Sequence, residues 1–391
     1  MVEDYFANLG MAIERTWSDD HGDEDGFPAI ASRALADHDP PPEMDERALL
    51  RHTAGVGSLV HQEDPEAGFG QPPITLFRSR DFFIAALVWL DGTTTIHEHG
   101  FSGALRVLVG SSIHVRYAFS CTDRISRRLQ FGDLRLDEAE VLGRGDVRPI
   151  HAGAEGAHSL FHLERPSVTI VVRTYSEPWA TPQLNYYRPG MALDPFYRNR
   201  DLTRKLQALH AMREIAPEES VVCAKEFLSG TDSFGGLLML DHWFKTGDRG
   251  ERFSDLVDHF VARHGSIFEQ LRPAYEERTR ELSLLSRRSL LHDPRHRLFL
   301  ALLLNLPDWS RQRAICRALF PEEEPTELIP TMLEELSSPA LRGLSGVSIK
   351  TEEIAQVRRL LATCPDEQVL PELRRLSLKT RPSDVWHRLT G

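Results

Sequence analysis

The sequence predicts an α+β chain in two parts, a β-barrel of short strands followed by an all-α region. Three observations carry that prediction. Between Pro72 and Pro178, short apolar runs are separated by Gly, Asp and Ser turns. After Pro195 the apolar residues recur at helical rather than strand spacing. Within the β-like region, Ile96-His97-Glu98-His99-Gly100 ends an apolar run, and His158-Ser159-Leu160-Phe161-His162 follows about sixty residues later. A His-x-His pair with a further His from a later strand is how a small barrel assembles three imidazoles.

Composition sets the limits. A chain of 391 residues is long enough for two domains, and a formal charge of −12 speaks against a general nucleic-acid binder. No basic cluster is interleaved with aromatics, so nucleic acid is not an expected partner. No run approaches the roughly 20 apolar residues that span a bilayer, so no membrane partner is expected either. The first residues, MVEDYFANLGMAIERTW, do not read as a secretory signal. The four cysteines, Cys121, Cys223, Cys316 and Cys364, lie far apart and form no zinc-knuckle spacing. The expectation is a cytoplasmic protein with free, mostly structural thiols.

Along the chain, Tyr5, Phe6, Leu9, Ile13 and Trp17 recur at helical spacing and predict a helix over 4–17. The Gly/Asp/Pro-rich passage from Ser18 to Pro42 reads as loop or linker. Ile74–Arg78, Phe82–Leu90, Ala104–Val109, Ile113–Phe119 and Val168–Tyr175 read as strands. In the fourth, Ile113, Val115, Tyr117 and Phe119 alternate with His114, Arg116 and Ala118, as in a strand with one buried face. Repeated short strands at this spacing favour a sandwich or barrel.

The later half reads as about ten helical elements. Asp293 is a plausible N-cap with Pro294 just inside, and that helix stops before Pro307. Leu298–Leu306 is almost continuously apolar and reads as the buried centre of the helical part. Residues 351–376 predict two more helices, with Thr351 and Thr363 as candidate caps. The expected organisation is 1–45 helix and loop, 46–195 barrel and 196–391 all-α, sizes normal for single domains.

On an extended chain, residues i and i+2 share a face, so His97 and His99 point one way and Glu98 the other. His158 and His162, four apart, share a face of their own strand, so either can be the third ligand; His151 is a loop alternative. Asp91, Thr95 and Glu164 are candidates to hold the rings' second nitrogens. In the helical half, His292 and His296 straddle Pro294 and read as solvated or capping residues.

This pattern resembles the cupin superfamily: a Gly, His-x-His, a closing Gly110, then Gly145, a loop and a third His. The resemblance covers roughly residues 72–178. Many cupins carry an Asn four positions after the third His, where this chain has His162. The family's usual Glu, four or five residues after the second His, is replaced by Gly103 and Ala104. With the carboxylate gone, the pattern is similar to the cysteine dioxygenase group of thiol dioxygenases, which use a three-His ferrous site.

That resemblance implies Fe(II) held by His97, His99 and His158, dioxygen as cosubstrate, and a small or peptide-borne anionic thiol as substrate. It implies Arg78 as the group steering the substrate anion, with Arg80 and Arg106 as competitors, and Tyr175 or His162 assisting with oxygen or substrate protons. No Cys lies just after His99, so a Cys–Tyr crosslink has no partner. Two other readings stand beside it. A non-catalytic cupin would bind metal or ligand and signal through the helical half, which also offers a surface for a protein partner or a homo-oligomer. A metal-assisted isomerisation or decarboxylation through an enolate would keep the site and change the reaction.

Overall fold

The computed structural model describes residues 1–19, 26–63, 69–90, 92–247, 249–347 and 349–369. Three helices come first: α1 (Val2–Asp19), α2 (Phe27–Asp37) and α3 (Glu46–Gly55). Nine strands follow: β1 (Pro73–Arg78), β2 (Phe82–Trp89), β3 (Ile96–His99), β4 (Gly103–Val109), β5 (Ser112–Ser126), β6 (Leu129–Leu142), β7 (Val147–Ile150), β8 (Gly153–His162) and β9 (Ser167–Thr174). Two short strands, β10 (Asn185–Tyr187) and β11 (Met191–Leu193), close the β region. Then come α4 (Arg200–Ile215), α5 (Pro217–Gly230), α6 (Ser233–Lys245), α7 (Glu251–His264), α8 (Leu271–Arg288), α9 (Pro294–Asn305), α10 (Trp309–Leu319), α11 (Pro325–Ser337), α12 (Arg342–Ser345) and α13 (Thr351–Thr363). The architecture is a β-sheet and barrel region followed by a helical half.

The chain divides into two compact units. The first holds Met1–Ala118, Arg135–Thr181 and the chain from Arg280 on; the second holds Phe119–Leu134 and Pro182–Thr279. These units are drawn differently from the change of texture at residue 195, because the tips of β5 and β6 group with α4–α7 while α9–α13 group with the barrel.

In the first unit, one sheet runs β1-β2-β9-β4-β7. Its two faces are both buried, against different partners. Phe82, Ile84, Ala86 and Val88 of β2 and Val168, Ile170 and Val172 of β9 share a core with Phe6, Leu9 and Ile13 of α1 and Phe27, Ala31 and Leu35 of α2. Burying each large aliphatic or aromatic side chain there contributes about 1.5–3 kcal/mol. The approach of α1 is close: a Cβ on Gly10 would lie 2.4 Å from the Phe77 ring. The opposite parity, Leu87, Leu105, Val107 and Val171, faces inward and packs with Ile150, Leu160 and Leu142. Strand β8 pairs with β3 and β5, so His97 lies across from His158, and Ser112 from His162.

In the second unit, β6 pairs with β11 and β11 with β10. Leu129, Phe131 and Met191 join Leu240, Phe244, Leu256, Phe260 and Phe268 in one apolar core. Within it, Arg278 meets Asp241 at 2.5 Å, both with 8% of the side chain exposed.

Several expectations are corrected. The passage read as loop from Ser18 to Pro42 contains α2, whose Phe27, Ile30, Ala31 and Leu35 bury one helical face; the flanking Gly, Asp and Pro residues masked that short period. Strand β6 went unread because its middle carries Asp133, Arg135, Asp137, Glu138 and Glu140, which break the apolar alternation. Thr351 is the first residue of α13 rather than its cap: Lys350 takes that place, and the Glu353 side chain accepts from its N–H. Thr363 ends α13, and the second helix expected there runs largely outside the described residues. Asp293 does cap α9, accepting from the Arg295 N–H, and Leu298–Leu302 are buried. Among the described residues, no helix is long and apolar enough to cross a membrane.

Candidate metal centre

His97, His99 and His158 form a nearly equilateral triangle. Their ring centroids stand 4.7, 4.8 and 4.9 Å apart, and one nitrogen of each lies within 4.8 Å of the others. All three are buried, with 3–7% exposure. Two come from the strand pair β3–β8 directly, because His97 faces His158 in register. The register then shifts, so that His99 faces Gly153 rather than the residue regular pairing would give.

The three rings are neutral. Burial pushes His97 down to about 4, a shift that its bond to Thr95 opposes and His114 reinforces. Burial likewise carries His99 and His158 well below the ordinary histidine value, with mutual repulsion adding to it and Arg173 contributing at His99. The partners of the rings differ. His97 Nδ1–H donates to the Thr95 carbonyl at 2.8 Å. His99 Nδ1 is buried and, among the described residues, has no hydrogen-bond partner. His158 Nδ1 lies 2.9 Å from His114 Nε2, and His114 Nδ1 lies 3.0 Å from Glu140. Glu140 in turn accepts two bonds from Arg148, one of them 2.9 Å long from Nε. Burial alone would raise the Glu140 carboxyl, but the bonds from His114 and Arg148 outweigh it and hold the group at about 2.

Neutral imidazoles converging in a buried pocket, with an orphaned nitrogen on one of them, fit a divalent transition metal. Among the described residues no carboxylate or thiolate joins the group.

The other expected site residues lie elsewhere. His162 is four residues beyond His158, about 13 Å along an extended strand. It is fully buried, stacked on Trp89 at 4.6 Å, and its Nδ1 meets Ser112 Oγ at 2.8 Å. Arg78 is exposed and paired with Glu63 at 2.5 Å, its guanidinium over the Tyr175 ring. The Tyr175 hydroxyl donates to the Ser79 carbonyl at 2.9 Å. No described contact joins either residue to the three imidazoles. Arg80 is exposed, and Arg106 bonds Asp39 and the Leu35 carbonyl on the helix-covered face. Of the candidates for the second nitrogens, Thr95 serves His97 through its carbonyl, Glu164 bonds Ser111 instead, and Asp91 lies outside the described residues. His292 is exposed and His296 bonds Glu335, so that pair forms no site.

Two groups near the centre escaped the sequence reading. Arg173 has the inward parity of Val171 on β9, and its guanidinium carbon sits 3.5 Å from the centroid of Phe101. Phe101 in turn lies 4.6 Å from His99, and Phe69 lies 5.3 Å from His97. The other missed group is the His114–Glu140–Arg148 chain. Strand parity with Ser112 was the signal available for His114, but β5 is buried on both faces over 112–115 and alternation there does not sort inside from outside.

No protein-family model and no curated protein matches the sequence. Among solved structures, the chain is similar to hydroquinone 1,2-dioxygenase from Sphingomonas sp. TTNP3, at 12% identity over 31% of this chain and 83% of that one, with a TM-score of 0.22. It is also similar to a DMSP lyase from Ruegeria pomeroyi DSS-3, at 14% identity, covering 40% and 75% of the two chains, with a TM-score of 0.22. An oxalate oxidase is similar at 16% identity, covering 44% and 79%, with a TM-score of 0.21.

Proposed function

We propose that the protein is a metal-dependent cupin enzyme, a non-haem Fe(II) oxygenase of the thiol-dioxygenase kind. It oxidises a small or peptide-borne anionic thiol with dioxygen. The observation that carries this reading is the donor set: three neutral imidazoles and, among the described residues, no carboxylate. Such a set leaves a bound dication its full charge and favours direct ligation of an anion, where a carboxylate ligand would offset part of that charge.

His97, His99 and His158 would hold the iron, which supplies a redox-active Lewis acid with open coordination positions. The chain's own residues do the rest. Arg173 orients the substrate's anionic group beside His99, a task for which Arg78, committed to Glu63 at the exposed edge, is poorly placed. Phe101 and Phe69 supply apolar walls that exclude water and strengthen each electrostatic contact inside. The thiol gives up its proton to solvent before entering, since the buried imidazoles are held unprotonated and do not take it.

The test is anaerobic loading with Fe(II) followed by oxygen-uptake assays with cysteine and related mercapto acids. The reading expects stoichiometric iron, thiol-dependent oxygen consumption, and loss of both on His97→Ala plus His99→Ala. Retained iron in that variant overturns it. Turnover that persists without oxygen assigns the site to an enolate reaction instead.

One observation favours a second reading, a cupin that signals through its helices. Arg297 of α9, fully buried, donates to the His162 carbonyl at 2.9 Å, at the end of the strand that also carries His158. A sensor would show metal-dependent changes in amide exchange over Pro294–Asn305 and no turnover.

A further inference from the structure

The three imidazoles are not equivalent, and the difference lies outside the triangle. His97 leans on a neutral carbonyl, whereas His158 leans on a second imidazole that is itself held by a carboxylate. We propose that His114 and Glu140 are positioning residues that lock His158 as the Nδ1–H tautomer and so commit its Nε2 to the metal. This rests on reading the triad as a metal site.

The assignment follows from donor and acceptor counting. Glu140 takes two bonds from Arg148 and is ionised, so toward His114 it can only accept. His114 Nδ1 therefore carries the hydrogen. In a neutral imidazole the other nitrogen is then an acceptor. His114 Nε2 accordingly accepts from His158, whose Nδ1 must carry its hydrogen and whose Nε2 keeps a free lone pair. With His114 neutral, each step follows from the one before; an imidazolium there would donate from Nε2 and reverse the His158 tautomer, the outcome that the tautomer measurement below separates.

The arrangement also sets the ring's angle. His114 is 4% exposed, its ring stands at 87° to that of His158, and its strand β5 pairs with β8, so the hydrogen bond reaches diagonally across two neighbouring strands. Holding the ring from both ends preorganises the ligand, and such outer partners typically change metal affinity by about 10- to 100-fold. His158 thus leans on an imidazole held by a carboxylate–guanidinium pair, where His97 leans on a neutral carbonyl.

Two measurements on the full-length protein test this. Long-range 15N–1H correlation spectra of the metal-free protein should show His158 with its hydrogen on Nδ1; a hydrogen on Nε2 overturns the proposal, whatever any variant does. Cobalt(II) titration, followed by the visible ligand-field bands, should then give affinity about 10- to 100-fold weaker for His114→Leu, which can neither accept from His158 nor donate to Glu140. His114→Gln, whose amide oxygen accepts and whose amide nitrogen donates, should stay within about threefold of wild type. Equal affinity for His114→Leu and wild type, or no rescue by Gln, overturns the proposal. Wild-type protein that binds no cobalt overturns the metal reading, while the tautomer measurement still decides the hydrogen-bond chain.

Discussion

Replacing Asp241 by Ala in the helical core should destabilise the protein far more than replacing its partner Arg278 by Met. Asp241 is 6% exposed and takes Arg278 on one oxygen at 2.5 Å and Lys245 on the other at 2.6 Å. Arg278 is 7% exposed and lies over the rings of Tyr187, Phe244 and Tyr275 at 4.4, 4.8 and 5.3 Å. Asp241→Ala removes the carboxylate and leaves a guanidinium buried without its anion, a change that costs about 3–5 kcal/mol. Arg278→Met keeps the packing volume against the three rings and leaves Asp241 its second cation, Lys245, so about 1–2 kcal/mol is expected. Guanidinium-chloride unfolding followed by Trp fluorescence measures both. A cost under about 0.5 kcal/mol for Asp241→Ala, or a larger loss for Arg278→Met, would refute the reasoning. The pH dependence has a definite sign. Burial acts to raise the Asp241 carboxyl, but Arg278 and Lys245 outweigh it and hold the group below its ordinary 3.8. A folded value below the unfolded one gives stability that is present above the unfolded value and lost as pH falls through the folded one. The gap between wild type and Asp241→Asn should therefore be constant near neutrality and close below about pH 3.8.

Three further outcomes are expected. Arg173→Gln should raise KM for an anionic substrate about 10- to 100-fold, the loss of a charge-assisted hydrogen bond, while iron content stays stoichiometric; iron loss would mean Arg173 supports the site instead. His162→Gln should leave iron stoichiometry unchanged, because that ring packs on Trp89 and bonds Ser112 rather than joining the triad; loss of iron would place it among the ligands. Toward a thiol reagent at neutral pH, exposed Cys121 should react first and Cys316, fully buried with its thiol pushed up to about 12, should react only on unfolding; fast reaction of Cys316 would show that the α10 core opens readily.

Much of the site was legible because strand parity is local. His97 and His99 share a face by position alone, and the antiparallel pairing of β3 with β8 brings His158 opposite His97. Sequence left His158 and His162 tied, since both have the same parity on β8. Only the packing separates them, by seating His162 on Trp89. Arg78 and Tyr175 were placed near the centre by resemblance, and the geometry pairs them with each other at the exposed edge. Arg173, two residues before Tyr175 and of the same parity, is the cation coupled to His99. The His114–Glu140–Arg148 chain draws on three strands separated by up to 34 positions in sequence, and no local period connects them. The same physics hid α2, where five buried residues suffice to make a helical face but are too few to outweigh their Pro- and Gly-rich flanks.

The proposed function has three neutral histidines, and no carboxylate, holding a ferrous ion. X-ray absorption at the iron edge of anaerobically loaded full-length protein tests it most directly. One iron per chain is expected, with a first coordination sphere carrying three imidazole nitrogens, reduced in number by His158→Ala and unchanged by His162→Gln. A sphere with two imidazoles and a protein carboxylate, or one that His158→Ala leaves intact, would contradict it.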